Sequence, residues 1–149
     1  MRAVVQRVKE SRVEVNERCV GEIGPGLLIF LGVGNEDTED ACQYLVDKII
    51  NLRIFPDSTG AMNLSLMDTH KTALVVPQFT LFGDCRKGRR PSFSRAAPPE
   101  RAKALYEDFI DLMKHQGITV AAGRFQEMMD VSLINDGPVT LLLDSARAF

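Results

Sequence analysis

The first third of the chain has the hydrophobic pattern of β-strands. Residues 3–8 are rich in β-branched side chains, and residues 12–15 alternate polar and apolar positions with a period of two. Residues 27–33 are almost entirely apolar, which is typical of a strand buried on both faces. Gly24-Pro25-Gly26 separates this run from the earlier segments. The pattern therefore predicts a sheet that contains at least one fully buried strand.

Two later segments have the 3.6-residue period of amphipathic helices. The first follows a cap at Asp37 or Thr38 and ends near Asn51, with one apolar stripe along its length. The second begins at the proline pair 98–99, because the first turn of a helix does not need the proline N–H. Gly117 ends this second helix. Each stripe predicts a helix that packs on the sheet through one face.

Further strands are predicted on either side of the second helix. Residues 72–81 indicate a largely buried strand that contains Pro77, and a proline there predicts an edge position or a local irregularity. Residues 82–98 are polar and basic, which predicts a loop. The remaining strands are residues 118–121, 130–134 and 139–143. The order of strands, helix, strand, helix and strands implies a mixed α+β fold in one domain, residues 1–149, with two helices covering one sheet face.

Composition narrows the possible functions. Hydrophobic residues are 45% and charged residues 26%, which excludes a disordered chain. The net charge of −2 excludes a generally basic nucleic-acid binder but leaves room for a local basic patch. Cys19, Cys42 and Cys85 are far apart and predict reduced thiols, with neither a metal site nor a cofactor. The chain has no signal peptide pattern and no apolar run long enough for a bilayer, so we expect a soluble, cytoplasmic protein.

Side chains suited to catalysis are scarce. The chain has no nucleophile elbow, phosphate-binding loop or metalloprotease motif. Of its two histidines, His115 lies in the last turn of a predicted helix, where a cation favours the dipole, and His70 lies in a polar stretch typical of a surface. The protein is therefore either no enzyme, or one whose chemistry depends on backbone and substrate groups.

Two segments have a composition that packing alone explains poorly. In residues 77–81, Gln78 and Thr80 interrupt a buried-looking strand, and they indicate either buried polar groups with partners or a solvated edge strand. Residues 135–140, Asn-Asp-Gly-Pro-Val-Thr, contain an Asp-Gly pair that favours a hairpin turn. The proline directly after that pair is unusual for a hairpin and raises the chance of a cis bond.

A third segment is strongly basic. Four cations fall within five residues, with Arg95 nearby; they are Arg86, Lys87, Arg89 and Arg90. A solvated loop is the ordinary interpretation of such a run. The alternative is a loop that contacts nucleic-acid phosphates on an otherwise slightly acidic protein.

Residues 77–81 and 135–140 together closely resemble the paired signatures of the D-aminoacyl-tRNA deacylases, often called D-tyrosyl-tRNA deacylases. The resemblance continues through nearly the whole chain, in Gln6-Arg7-Val8, residues 21–28, Arg53-Ile54-Phe55, Met62-Asn63-Leu64, Arg90-Pro91-Ser92-Phe93, Ala102, Gly123-Arg124-Phe125 and Met129.

The resemblance implies a three-layer α/β/β fold with a barrel-like core, no metal, and a homodimer with two active sites at the subunit interface. It implies that Gly137-Pro138 is cis and enters the partner's pocket, where its carbonyls face the α-carbon of the aminoacyl group. The positions it assigns to catalysis are Gln78, Thr80, Gly137 and Pro138. The positions it assigns to substrate binding, besides Gly137 and Pro138, are Arg7, Phe79, Leu81, Ala102, Phe125 and Met129.

The activity that the resemblance implies is hydrolysis of the ester bond of D-aminoacyl-tRNA by water, which is chiral proofreading of translation. The ribose 2′-OH of the tRNA is expected to assist, and glycine mischarged on tRNA(Ala) is expected to be removed as well. The four cations of residues 86–90 are then expected to contact tRNA phosphates. Thr80 has no base nearby in the sequence, so we expect it to position the substrate rather than act as a nucleophile.

One residue departs from the family pattern. The family strand usually begins with Ser, whereas this chain has Pro77, which has neither a hydroxyl nor a backbone N–H. A related eukaryotic subgroup has Pro-Gln at these positions but differs at the next residue, where Phe79 keeps the usual pattern. Two alternatives stay open: a non-catalytic dimeric RNA-binding protein, and a hydrolase of small amino-acid esters.

Overall fold

The chain forms eight strands, three α-helices and one short 3₁₀ helix, in a computed structural model that describes residues 1–149. In chain order they are β1 (Arg2–Val15), β2 (Arg18–Ile23), β3 (Gly26–Gly32), α1 (Glu39–Ile50), β4 (Phe55–Pro56), β5 (Met62–Leu64), α2 (Leu66–Thr69), β6 (Thr72–Pro77), the 3₁₀ helix (Phe79–Phe82), α3 (Pro99–His115), β7 (Val120–Ala122) and β8 (Asp130–Asp144). None of the helices is both long and apolar enough to cross a membrane.

The long strand β1 organises the main sheet. Its first half pairs with β3 and its second half with β2, while β8 runs antiparallel along its other side. Beyond β3 the sheet continues with β6 and β7, both parallel to their neighbours. The sheet curls until β2 lies against β7, so closely that a Cβ on Gly21 would be 3.0 Å from the carbonyl oxygen of Ala122. The sheet is therefore a nearly closed barrel.

Two apolar clusters hold these layers together. The larger cluster lies between the sheet and the apolar stripes of α1 and α3, and it includes Leu27, Ile29 and Leu31 of β3. The smaller cluster fills the inside of the curl and includes Leu28. Alternate residues of β3 thus face different clusters, which confirms a strand buried on both faces. The predicted mixed fold, with two helices over one face of the sheet, is also confirmed.

The predicted strand over residues 72–81 is too long. Strand β6 ends at Pro77, and residues 79–82 turn into the 3₁₀ helix. Of the two alternatives for Pro77, the edge position is wrong, because β6 lies between β3 and β7, and the regular strand instead ends at Pro77. Proline is tolerated there because it is the last residue of the strand, and the next amide, that of Gln78, donates to the carbonyl of Leu31 at 2.8 Å.

The hairpin turn that the Asp136-Gly137 pair favours locally does not form. Residues 130–144 form one strand, β8, and residues 136–139 bulge from it opposite Arg7 of β1. Four further elements were not predicted, namely β2, the short pair β4 and β5, and α2. Helix α2 begins with a capping box in which the Ser65 hydroxyl accepts from the Asp68 amide at 3.1 Å. The expected loop over residues 82–98 is found from residue 83 onward, since Phe82 is the last residue of the 3₁₀ helix.

Candidate functional site

A cavity of about 1000 Å³ lies at the carboxyl ends of the parallel strands β3 and β6. The start of α3 and the loop that precedes β8 form its other walls. More than half of its lining residues are hydrophobic, as is typical of small-molecule sites. Six of the predicted site residues, from three distant segments, line it: Gln78, Phe79, Thr80, Ala102, Phe125 and Met129.

The 3₁₀ helix and Gln78, the residue directly before it, bring three of these residues to the cavity. The Gln78 side-chain amide donates to the Thr80 hydroxyl; Thr80 is exposed and Gln78 is half-buried. The turn can pack this close to β3 because residue 32 is a glycine. Any other residue there would place its Cβ 2.9 Å from the Gln78 carbonyl oxygen. The polar residues of this segment are therefore neither buried in a strand nor part of an edge strand, since they lie on a turn beyond the strand end.

The aromatic lining of the cavity includes two residues that the sequence did not assign to the site. Phe93 contacts Phe79 edge to face, with ring centroids 5.1 Å apart, and Phe79 is 57% exposed. Tyr106 is buried beside Phe125, and its hydroxyl donates to the Val75 carbonyl at 2.9 Å. Burial raises the pKa of the Tyr106 hydroxyl well above its usual range, which keeps it neutral. Tyr106 follows Ala102 by four residues and so lies on the same face of the helix. This spacing is the feature of the sequence that could have assigned Tyr106 to the site.

Gly137 and Pro138 lie outside this cavity. Both are exposed on the bulge of β8, and the peptide bond between them is cis. The buried Arg7 lies beneath the bulge, where its guanidinium donates to the Ile54 carbonyl. Arg7 Nε is 3.2 Å from Asp136 Oδ2, an ion pair without hydrogen-bond alignment. The structure therefore divides the predicted site into a cavity group and a bulge group.

Gly137 has a backbone conformation that favours glycine. Its φ is +114°, in the left-handed region that L side chains rarely adopt. A Cβ at this position would lie 2.6 Å from Arg7 Nη2. The remaining predicted binding residue, Leu81, does not line the cavity; its carbonyl accepts from Arg2 Nη1 at 2.9 Å.

The basic residues of the loop 86–90 are exposed. Arg86 differs from the others because its guanidinium binds Asp84, with Nη2 2.6 Å from Oδ2. Hydrogen bonds from Arg86 hold the pKa of Asp84 far below its usual range. The charge of Arg86 is thus partly balanced on this chain.

No group of three or more His, Cys, Asp or Glu side chains is placed to hold a metal ion.

Comparison with solved structures assigns the fold to a known class. The chain superposes on the c-Myc DNA unwinding element binding protein with a TM-score of 0.91, at 38% identity over 97% of this chain and 98% of the other. It superposes on a probable eukaryotic D-amino acid tRNA deacylase with a TM-score of 0.84, covering 96% and 98% of the two chains. That second pair shares 20% identity, which shows the fold alone.

Comparison of sequences then identifies the family. The model of the D-Tyr-tRNA(Tyr) deacylase family matches residues 4–144. The D-aminoacyl-tRNA deacylase of Thermotoga petrophila is 57% identical, and that of Syntrophobacter fumaroxidans is 59% identical, each over the full length of both chains. The chain belongs to the D-Tyr-tRNA(Tyr) deacylase family, which confirms the resemblance found in the sequence.

Proposed function

We propose that this protein hydrolyses the ester bond of D-aminoacyl-tRNA and releases the free D-amino acid and the tRNA. Full-length identity of 57–59% to relatives named for this activity supports the proposal. The observation that carries it is the pairing of two features on one chain: an open cavity lined by Gln78, Phe79 and Thr80, and an exposed Gly137-Pro138 bulge that does not fill it. A dimeric protein that only binds RNA would require neither feature.

The exposed bulge supports a site completed by a second copy of the chain. Strand β8 pairs only with β1, so its other edge is free along 15 residues, and such edges usually pair or are covered. The same strand exposes apolar side chains, with Ile134 at 49% and Leu142 at 61%. In the proposed homodimer, Gly137 and Pro138 of each chain enter the cavity of its partner, which buries both the bulge and the apolar face.

The chemistry of the proposed reaction depends on the substrate. The cavity lining contains no histidine or cysteine, and its one carboxylate, Glu127, is exposed. The oxygen of a water molecule bonds to the ester carbonyl carbon and the water loses a proton, while the bond between that carbon and the ribose oxygen breaks and the ribose oxygen takes up a proton. The neighbouring ribose 2′-OH assists this proton transfer. The chain's own contribution is to hold the ester through Gln78, Phe79, Thr80 and the partner's backbone.

The proposed stereoselectivity comes from backbone groups near the α-carbon. Arg7 packs under Gly137 and restrains the bulge, so that its carbonyls present a rigid surface to the bound aminoacyl group. An L-amino acid would direct its side chain at that surface. It would bind more weakly because of the steric clash and because polar groups would be left unpaired. Glycine has no side chain to exclude, so we also propose that glycine mischarged on tRNA(Ala) is removed.

Pro77 makes the cavity wall less polar than the Ser of the family pattern would. It lines the cavity next to Gln78 and offers no hydroxyl or N–H to a ligand. Any hydrogen bond made by the usual Ser is therefore absent, and the polar contacts on this wall come from Gln78 and Thr80.

The test compares D-tyrosyl-tRNA with L-tyrosyl-tRNA as substrates of the purified protein. We expect rapid release of D-tyrosine only, and loss of that release in Gly137→Ala, whose Cβ would collide with Arg7. Gly60→Ala is the matched control, because Gly60 also has a positive φ of +84° but has open space around it. Binding of tRNA without hydrolysis would favour the non-catalytic protein, and cleavage of free D-tyrosine esters at equal efficiency would favour the small-ester hydrolase.

A further inference from the structure

The bulge that carries Gly137 and Pro138 interrupts the pairing of β8 with β1. Gln6 pairs with Thr140 and Val8 pairs with Asn135, so four residues of β8, 136–139, lie opposite the single residue Arg7. A bulge of this size removes the regular exchange of hydrogen bonds between the strands. The carbonyls on both sides of the gap therefore need other donors.

The Asn135 side chain supplies those donors. Its Nδ2 donates to the carbonyl of Arg7 at 2.9 Å, across the gap, and to the carbonyl of Val139 at 3.0 Å, at the far end of the bulge. Both hydrogens of one amide are thus used to join the two ends of the bulge to each other and to β1. Aspartate at this position would have the same size but no hydrogen to donate.

A second contact fixes the orientation of this amide. The Thr140 hydroxyl donates to Asn135 Oδ1 at 3.3 Å and accepts from Gln6 Nε2 at 3.1 Å. Because an amide can donate only from its nitrogen, the hydroxyl at Oδ1 holds Nδ2 towards the two carbonyls. Hydrogen bonds between the side chains of Gln6, Thr140 and Asn135 therefore add to the backbone pairing that links β1 to the bulge.

We propose that Asn135, oriented by Thr140, is a positioning residue that holds the Gly137-Pro138 bulge in the shape needed to select the substrate. This proposal deepens the proposed function and rests on it. Asn135 does not touch the reacting ester in this scheme; it acts through the backbone that it ties together. Its loss would let the bulge move, and a mobile bulge would no longer exclude L-aminoacyl groups by clash.

The test uses two isosteric changes and one conservative variant. Asn135→Asp removes both donors, and Thr140→Val removes the hydroxyl, while Thr140→Ser retains it. We expect kcat for D-tyrosyl-tRNA to fall about tenfold or more in Asn135→Asp and Thr140→Val, with KM little changed, since the loss of even one hydrogen bond that leaves a group unsatisfied is of this size. The preference for D-tyrosyl-tRNA over L-tyrosyl-tRNA should fall as well, and Thr140→Ser should restore both values.

Asn51→Asp is the matched control, because Asn51 Nδ2 also donates to a backbone carbonyl, that of Asp47, but at the end of α1. It should leave both kcat and the D-to-L preference unchanged. A stable, folded Asn135→Asp variant with an unchanged preference would overturn the proposal. Equal losses in Thr140→Ser and Thr140→Val would overturn the role of the hydroxyl.

A measurement that needs no activity separates this proposal from the proposed function. Amide hydrogen exchange should become faster at residues 136–140 in Asn135→Asp and in Thr140→Val, but not in Thr140→Ser or Asn51→Asp. If the wild-type protein hydrolyses no D-aminoacyl-tRNA, the proposed function fails, and this exchange pattern still decides whether Asn135 orders the bulge. Unchanged exchange in Asn135→Asp would overturn the inference whatever the activity.

Discussion

Arg2 of β1 donates from Nη1 to the carbonyl oxygen of Leu81 at 2.9 Å. The same guanidinium binds Asp144 of β8 through Nε at 3.1 Å and lies 4.7 Å from the ring centroid of Phe82. One side chain thus ties the first strand and the last strand to the 3₁₀ helix that carries Phe79 and Thr80. A planar guanidinium can make these three contacts at once, whereas an ammonium cannot.

Arg2→Lys should therefore loosen the 3₁₀ helix although it conserves the charge. We expect the free energy of unfolding to fall by about 1–2 kcal/mol, because the Leu81 carbonyl and the Asp144 carboxylate lose a shared donor. The kcat/KM for D-tyrosyl-tRNA should fall too, since Thr80 is less well placed. Chemical denaturation and steady-state kinetics measure the two effects. Arg12→Lys is the control, because Arg12 forms an exposed ion pair with Glu14 further along β1 and should change neither value.

Thr80 should act by position and not as a nucleophile. Its hydroxyl accepts from the Gln78 side chain, and no histidine lies in the cavity to remove its proton. We expect Thr80→Ala to lower kcat about tenfold, as for one lost hydrogen bond, and Thr80→Ser to retain most of the activity. Rapid acid quenching followed by mass spectrometry should detect no aminoacyl group on the protein. An ester trapped on Thr80 would contradict this role.

The loop 86–90 should govern how binding of tRNA depends on salt. Replacing Arg89 and Arg90 by Gln should weaken binding and reduce the slope of log K against log salt by about 0.7–0.9 per lost phosphate contact. Arg86→Gln should have a smaller effect, because Asp84 already balances that charge. The single-turnover rate of hydrolysis of bound substrate should stay nearly constant in Arg86→Gln, Arg89→Gln and Arg90→Gln. Titrations at several salt concentrations measure the slopes, and a slope that does not change in the Arg89 and Arg90 variants would place the tRNA elsewhere.

The buried Cys42 should be unreactive at a pH where the other two cysteines react. Burial, with a smaller effect of Asp108, raises the pKa of the Cys42 thiol from 9.0 to about 12, whereas Cys19 and Cys85 are exposed. Alkylation at pH 8 followed by peptide mass mapping should label Cys19 and Cys85 in the native protein and Cys42 only after denaturation. Rapid labelling of Cys42 in the native state would contradict its placement in the core.

The same shift has a consequence for stability above neutral pH. Between pH 9 and about 12 the unfolded chain has lost the Cys42 proton while the folded chain still holds it. The Cys42 contribution is therefore fully present below pH 9 and is lost as the pH rises towards 12. Cys42→Ala should flatten the decline of the free energy of unfolding over that interval, which denaturation curves at each pH can measure.

The helices α1 and α3 and the strand β3 could be predicted because each has a regular period along its own segment. The turn at residues 79–82 could not, since Phe, Thr and Leu favour a strand locally. That turn depends on the small residue Gly32 in a neighbouring strand, which lets the chain pack against β3. Elements as short as β4, β5 and α2 have too few residues to show a period, although Ser65 and Asp68 formed a readable capping box.

The bulge at residues 136–139 was missed for a different reason. Asp-Gly is a local signal for a hairpin, but β8 continues on both sides of it because β1 offers a partner along its whole length. The cavity residues were found through the family resemblance, which linked residues 77–81 to Ala102, Phe125 and Met129. Phe93 and Tyr106 were not assigned to the site because their place in the cavity depends on tertiary packing.

The pairing of β1 with β8 also affects the order in which the sheet can form during translation. Strand β1 lies in the middle of the sheet, and one of its partners, β8, is the strand farthest from it along the sequence, with Arg2 opposite Asp144. Contacts so distant in the chain form slowly because a long loop must close first. During translation β1 can pair with β2 and β3 early, while its other edge stays open until residues 130–144 leave the ribosome. Shielding of that edge by a chaperone would therefore matter most while β8 is still being synthesised.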